Sequence, residues 1–196
     1  MKKHIGVLIG SLVLVGLVIW IIFYTVNNRN DKSVFNDGKN TSTEAQILIA
    51  KDIDRFYPST VREVVRLYQR INVCLMTGKY SEEEFYRLVD MLRLLYDDEL
   101  LEINPRDRYA NKLYDEITLF KETGKSIPVT NIQLESQAER YTKDGKNMAS
   151  IVALFIVKGG NGLEKTYEKF VLREDENGRW KIVGWELTEP VEFPEL

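Results

Sequence analysis

Residues 144–187 read DGKNMASIVALFIVKGGNGLEKTYEKFVLREDENGRWKIVGWEL, and this stretch decides the fold. Asp144-Gly145, the run Gly159-Gly160-Asn161-Gly162 and Glu176-Asn177-Gly178 are turn signals. They separate three strand-like runs, Met148 to Val157, Leu163 to Glu174 and Arg179 to Leu187. Upstream, Ile132, Leu134 and Ala138 alternate with Gln133, Glu135, Gln137 and Glu139, a period of two that predicts a half-buried strand. Short connections in succession give a four-stranded antiparallel meander.

The alternation inside these strands carries a second message. An antiparallel sheet with one wet face shows polar residues on that face. In 148–157 both sets are apolar, Met148, Val152, Leu154 and Ile156 against Ala149, Ile151, Phe155 and Val157. Arg179 to Leu187 reads the same way, with Trp180 and Ile182 on one face and Val183, Trp185 and Leu187 on the other. A partner subunit, the C-terminal tail or a pocket closed by the sheet's own curl must cover the second face.

Between the tether described below and the sheet the period is 3.6. Ile49, Ile53, Phe56 and Tyr57 predict a short helix stopped by Pro58. Thr60 and Glu63 form a T-x-x-E capping box opening a helix whose stripe is Val61, Val64, Val65, Tyr68, Ile71 and Leu75, with Gly78 as its end. Ser81 and Glu84 repeat the box ahead of Phe85, Leu88, Val89, Leu92, Leu95 and Tyr96. Asn104 and Pro105 read as N-cap and first turn of a further helix carrying Tyr109, Leu113, Ile117 and Phe120, ended by Gly124. Helices first and strands after them place residues 43–188 in the α+β class.

Ahead of this region, residues 5–26 hold no charge and are long enough, at about 1.5 Å per residue, to cross a hydrocarbon core about 30 Å thick. The run ends in Trp20, Phe23 and Tyr24, interface aromatics rather than the small residues of a cleavage site, so it reads as an uncleaved transmembrane anchor in the lipid bilayer. Lys2 and Lys3 abut it, which favours residues 1–4 as a cytoplasmic tail and an extracytoplasmic remainder. Residues 27–42 are polar and read as a flexible linker, and residues 189–196 as a C-terminal tail.

Composition excludes several function classes. The chain has 196 residues with 27 basic and 30 acidic side chains; without residues 1–26, which hold two Lys and no acid, 25 basic side chains face the same 30. Such an acidic body lacks the basic footprint of a nucleic-acid partner. One Cys allows no intrachain disulfide or thiolate cluster, and the single His, at position 4, lies outside the folded region. No metal, catalytic residue or cofactor is expected. Cys74, beside its helix stripe, reads as a small buried hydrophobe, and GGNG as a hairpin turn rather than a phosphate cradle.

Helices followed by a meander whose last strand carries Asp175, Gly178, Trp180, Ile182 and Trp185 in a D-x-x-G-x-W-x-I-x-x-W pattern resemble the nuclear transport factor 2-like superfamily over residues 44–187. The layout, with YPSTVREVVRLYQRI at 57–71, is also similar to uncharacterised single-pass membrane proteins of Gram-positive Firmicutes. The resemblance implies a curved sheet wrapped around helices into a cone, used in that superfamily as an enzyme pocket, a ligand site or an assembly surface. Fold does not choose among these. Superfamily isomerases and cyclases use Asp, His or Tyr as acid or base; here Tyr68, Tyr141 and Tyr167 are the inward candidates. With Phe155, Trp180 and Trp185 they form the expected pocket or interface set. The expectation is a non-enzymatic, membrane-anchored domain acting in assembly at the cell envelope, as a homodimer or with an envelope protein through the sheet face. A small-ligand or sensory module using the cone is the alternative, ahead of a cofactor-free isomerase-like enzyme.

Overall fold

The computed structural model describes residues 43–193. The anchor expected at 5–26 and the linker at 27–42 lie outside the described residues, and among the described residues no helix is long and apolar enough to cross a membrane. Five α-helices precede and pack against a five-stranded antiparallel sheet. This is the α+β arrangement, with one strand more than the alternation predicts.

Helix α1 spans Glu44–Ile49, α2 Val61–Thr77, α3 Glu82–Leu94, α4 Asp98–Ile103 and α5 Arg106–Glu122. The expected stripe of Ile49, Ile53, Phe56 and Tyr57 is corrected: α1 stops at Ile49 and buries Ala45 and Leu48, while Phe56 stands 72% exposed in the following turns. A full capping box on Thr43 and Gln46 fixes the start of α1. In α2 the Thr60 side chain accepts from the Glu63 N–H, but the Glu63 carboxylate reaches Ser59, taking its N–H at 3.1 Å and its hydroxyl at 3.0 Å. The box at Ser81 and Glu84 is complete. Each such cap contributes about 1 kcal/mol.

The sequence signals miss one helix, α4, and assign Asn104 to the wrong helix end. Asp97 caps α4 through the Glu99 N–H, and Asn104 ends that helix, donating its side-chain amide to the Leu100 carbonyl. Asn104 is therefore a C-cap, and α5 follows Pro105 without a side-chain cap. The acidic run 97–99 is the start of this extra helix, where its charge complements the dipole.

The strands are β1 Ser126–Ile132, β2 Glu139–Lys143, β3 Lys146–Gly159, β4 Gly162–Glu174 and β5 Trp180–Leu187, in the order β1-β3-β4-β5 with β2 also on β3. The strand expected across Ile132 to Glu139 is a corner instead. Its polar side chains accept from backbone donors: the Gln133 amide oxygen from the Val152 N–H, the Gln137 amide oxygen from the Leu134 N–H, the Glu135 carboxylate from the Arg62 N–H. This breaks one strand into β1 and β2, which share β3 end to end.

The two-faced burial of β3 is observed. Ala149, Ile151, Ala153, Phe155 and Val157 join the main core, and Met148, Val152 and Leu154 are buried as well. At one place the C-terminal tail covers the outer face: Phe193 lies against Tyr167, the cross-strand partner of Leu154. The two-faced reading of β5 is corrected. Phe170 pairs with Trp185 and Leu172 with Ile182, so a register shift between Val171 and Leu172 leaves Val183 as the extra residue. That bulge brings Ile182 and Trp185 onto one face, although their spacing places them on opposite ones.

Helix α2 is the spine of the packing. Val61, Val64, Val65, Tyr68, Ile71 and Leu75 are all buried against the sheet and the other helices. The Gln69 amide, 3% exposed, donates to the Asn131 and Leu154 carbonyls and ties α2 to β1 and β3. At the far edge, Asp97 N–H donates to Ile182 and Ile182 N–H to Leu95, so the α3–α4 connection shields part of the β5 edge.

Candidate functional site

The helix-facing side of the sheet meets α2, α3 and α5 in a cluster of rings. Tyr68 of α2 lies 5.1 Å, centroid to centroid, from both Phe170 and Trp185, and Phe170 stacks on Trp185 at 5.6 Å. Tyr96, just after α3, lies 6.1 Å from Trp185 and edge-on to Tyr109 of α5. The Tyr96 and Tyr109 hydroxyls are 2.8 Å apart, satisfying each other in the interior. Asn72, one helical turn beyond Tyr68, donates its amide to the Tyr68 hydroxyl at 3.5 Å.

Two carboxyls share this interior. Glu168 is in phase with Phe170 and Leu172 on β4, so its side chain points to the core face, opposite Ala153. It is 4% exposed and makes no hydrogen bond or ion pair with any described residue. Among the described residues no fully enclosed side-chain oxygen or nitrogen lacks a partner. The Glu168 carboxyl oxygens therefore keep the residue's small share of solvent access. Burial pushes it up to about 8, so it is a neutral acid at pH 7. Glu116 of α5 is half-buried and pushed up to about 7, chiefly by burial, with Lys112 drawing it down and Asp115 raising it. Tyr68 feels both: burial raises its hydroxyl well above the usual range, and the charges of Glu168, Tyr109 and Glu116 add to the rise.

The residues singled out from sequence divide. Tyr68 and Trp185 meet in the cluster. Phe155, 2% exposed, is ordinary core on the helix-facing side of β3. Tyr167 and Tyr141 face away, corrected from their inward assignment: Tyr167 packs on Phe193, and Tyr141, 43% exposed, pairs with Met148 on the outer face. Trp180 sits at the start of β5, with the Arg140 guanidinium 5.2 Å over its ring and its carbonyl accepting from the Tyr57 hydroxyl at 2.9 Å. Cys74 is buried, and its thiol is pushed up to about 11 by that burial, which keeps it unreactive.

Sequence reasoning missed Glu168 and Glu116. The signal was present. Glu168 occupies an apolar-phase position two residues before Phe170, and Glu116 stands one residue before Ile117 and seven after Tyr109, on the buried stripe of α5. A charge placed in register with hydrophobes is the mark of a site or a pair, and the described residues supply no pair for Glu168.

The arrangement can donate a hydrogen bond from a neutral carboxyl and accept one after ionisation, beside an aromatic cluster. Among the described residues no group of three His, Cys, Asp or Glu is placed to hold a metal ion. A groove of about 600 Å³ between the 50–59 turns and α2, lined by Ile53, Phe56, Tyr57, Arg66 and Arg70 among others, shares no residue with the cluster.

A solved structure of a protein from Catenulispora acidiphila is similar at 13% identity, covering 65% of this chain and 90% of that one with a TM-score of 0.36. No curated protein matches. A family model described as a domain of unknown function (DUF6715) matches residues 1–185.

Proposed function

Since the chain belongs to the DUF6715 family along nearly its whole length, apolar run and folded region together, we propose that it is a membrane-anchored, extracytoplasmic, non-enzymatic binding domain of the nuclear transport factor 2-like cone type. Residues 5–26 hold it in the bilayer, residues 27–42 tether it, and the concave face around Glu168 receives a small ligand. The observation that carries the reading is the unpaired Glu168 carboxyl in a ring-lined interior. A buried carboxyl without a partner destabilises the empty fold, and a ligand that satisfies it recovers that cost on binding.

Thermal unfolding of the full chain tests this. Glu168→Gln, which keeps the shape and removes the charge, raises the transition temperature at pH 8. A fall in that temperature means that the carboxyl serves the fold, and the ligand reading then fails.

Assembly at the envelope is the second reading, favoured by Tyr141 and Leu163, which are exposed on the outer face of the sheet at 43% and 68%. A homodimer or an envelope protein would cover them. Sedimentation of the full chain in detergent separates the two readings: Leu163→Asp converts a dimer to a monomer, and a monomer in both forms removes self-association.

A further inference from the structure

We propose that the Glu168 site takes an organic ammonium ion, a protonated or methylated amine on an apolar body, with the carboxylate as its counter-ion and the rings of Tyr68, Phe170 and Trp185 around it. This rests on the ligand reading above and names the chemistry of the ligand.

The charges facing the site select the sign. From β4 comes Glu168 and from α5 Glu116, both acidic, with Lys112 and Asp115 flanking Glu116 on its own helix. Helix α2 presents the hydroxyl of Tyr68, the segment after α3 that of Tyr96, and α5 that of Tyr109. The Arg93 guanidinium acts on the Tyr96 and Tyr109 hydroxyls but is directed at the Asn104 carbonyl, 2.6 Å away. Strand β5 contributes Trp185. The two cations that follow Glu168 on β4 are committed elsewhere, Lys169 to Glu139 at 3.0 Å and Arg173 to Asp97 and Glu99. An anion entering this interior would meet two carboxyls and no cation aimed at it. An ammonium ion meets a carboxyl with no counter-ion among the described residues, in an aromatic surrounding.

The proton balance follows from the state of the empty site. Burial holds Glu168 protonated near neutrality, so an arriving ammonium ion forms its ion pair only as the carboxyl gives its proton to solvent. Nothing is oxidised or reduced, and no covalent bond other than O–H is broken.

Calorimetric titration of the full chain in detergent micelles at pH 7 tests this, in two buffers of different ionisation enthalpy. The probes are phenethylammonium chloride, its neutral counterpart 2-phenylethanol, and sodium phenylacetate. The expected result is that the ammonium probe binds with release of about one proton, that phenylacetate does not bind, and that Glu168→Gln weakens the ammonium probe about tenfold or more. The proton count is read on the unaltered chain, so it stands even if the variant folds poorly. If the ammonium probe binds without proton release, or 2-phenylethanol binds as tightly and is unaffected by Glu168→Gln, the ammonium class is overturned while a ligand site remains. If none of the three probes binds, the ammonium class falls too; the Glu168→Gln unfolding test then decides the ligand reading separately.

Discussion

Arg173 of β4 forks onto the carboxylate of Asp97, which in turn caps α4: Nε lies 2.9 Å from Oδ2, Nη2 bonds Oδ1, and Nη1 reaches Glu99 at 2.9 Å. Both side chains are largely removed from solvent, at 13% and 9% exposure. The pair ties the start of α4 to the sheet. Removing one partner leaves the other buried without compensation, so Arg173→Met destabilises the fold by about 3 kcal/mol in chemical unfolding. A double variant, Arg173→Met with Asp97→Leu, loses less than the two single changes added together, which a double-mutant cycle measures.

Two glycines that end helices fail for different reasons. A methyl group on Gly78 would sit 2.4 Å from the Cys74 carbonyl oxygen, a backbone atom that cannot step aside. Gly124 has open space but a φ of +65. Gly124→Ala therefore costs about 1 kcal/mol in backbone strain, whereas Gly78→Ala costs more, about 1–3 kcal/mol, and loosens the α2 terminus. Denaturant midpoints compare them directly.

Stability falls as pH rises through neutrality. Glu168 titrates at about 8 in the folded chain and near the ordinary carboxyl value, about 4.3, in the unfolded one. Between these values the folded state holds the extra proton, so its advantage is full below about 4.3 and is lost progressively up to about 8. Glu116 adds a smaller loss that ends at about 7. Unfolding free energies at pH 5 and pH 8 differ by a few kcal/mol, on the order set by burial, and Glu168→Gln removes most of that difference. An unchanged slope in the variant would show that other groups are responsible.

Trp185→Asp distinguishes the core from an interface. The ring lies among Tyr68, Tyr96 and Phe170, so the change buries a carboxylate in the cluster and destabilises the monomer by about 3–5 kcal/mol. Circular dichroism reports loss of fold at a lower temperature. A variant that melts like the parent and merely dissociates would place Trp185 at a subunit contact.

Protease treatment of intact cells checks the proposed topology. With residues 1–4 in the cytoplasm, the acidic body is outside and an added protease cleaves in the 27–42 linker, releasing the folded region. Retention of the whole chain reverses the orientation.

How much the sequence revealed depends on the range of the interactions involved. Apolar period located α2, α3 and α5 closely, and caps fixed the first two because Thr60, Ser81 and Gly78 act on neighbours three or four residues away. The same local reasoning failed at 132–139, where Gln133 and Glu135 satisfy Val152 and Arg62 far along the chain. It failed again at β5, since a bulge is a property of two paired strands and not of either one. Glu168 was legible as an acid in an apolar phase, but whether a partner awaited it was not.

The sequence by itself determined the α+β order, the turns at 144–145, 159–162 and 176–178 and the double burial of β3, since turn residues and side-chain periodicity act within a few bonds. Only the tertiary structure decided that Trp185 turns inward, that Tyr167 turns outward and that Glu168 has no counter-ion among the described residues. Those outcomes depend on strand register and on which helix arrives opposite each position, and both are set by packing between segments far apart in the chain.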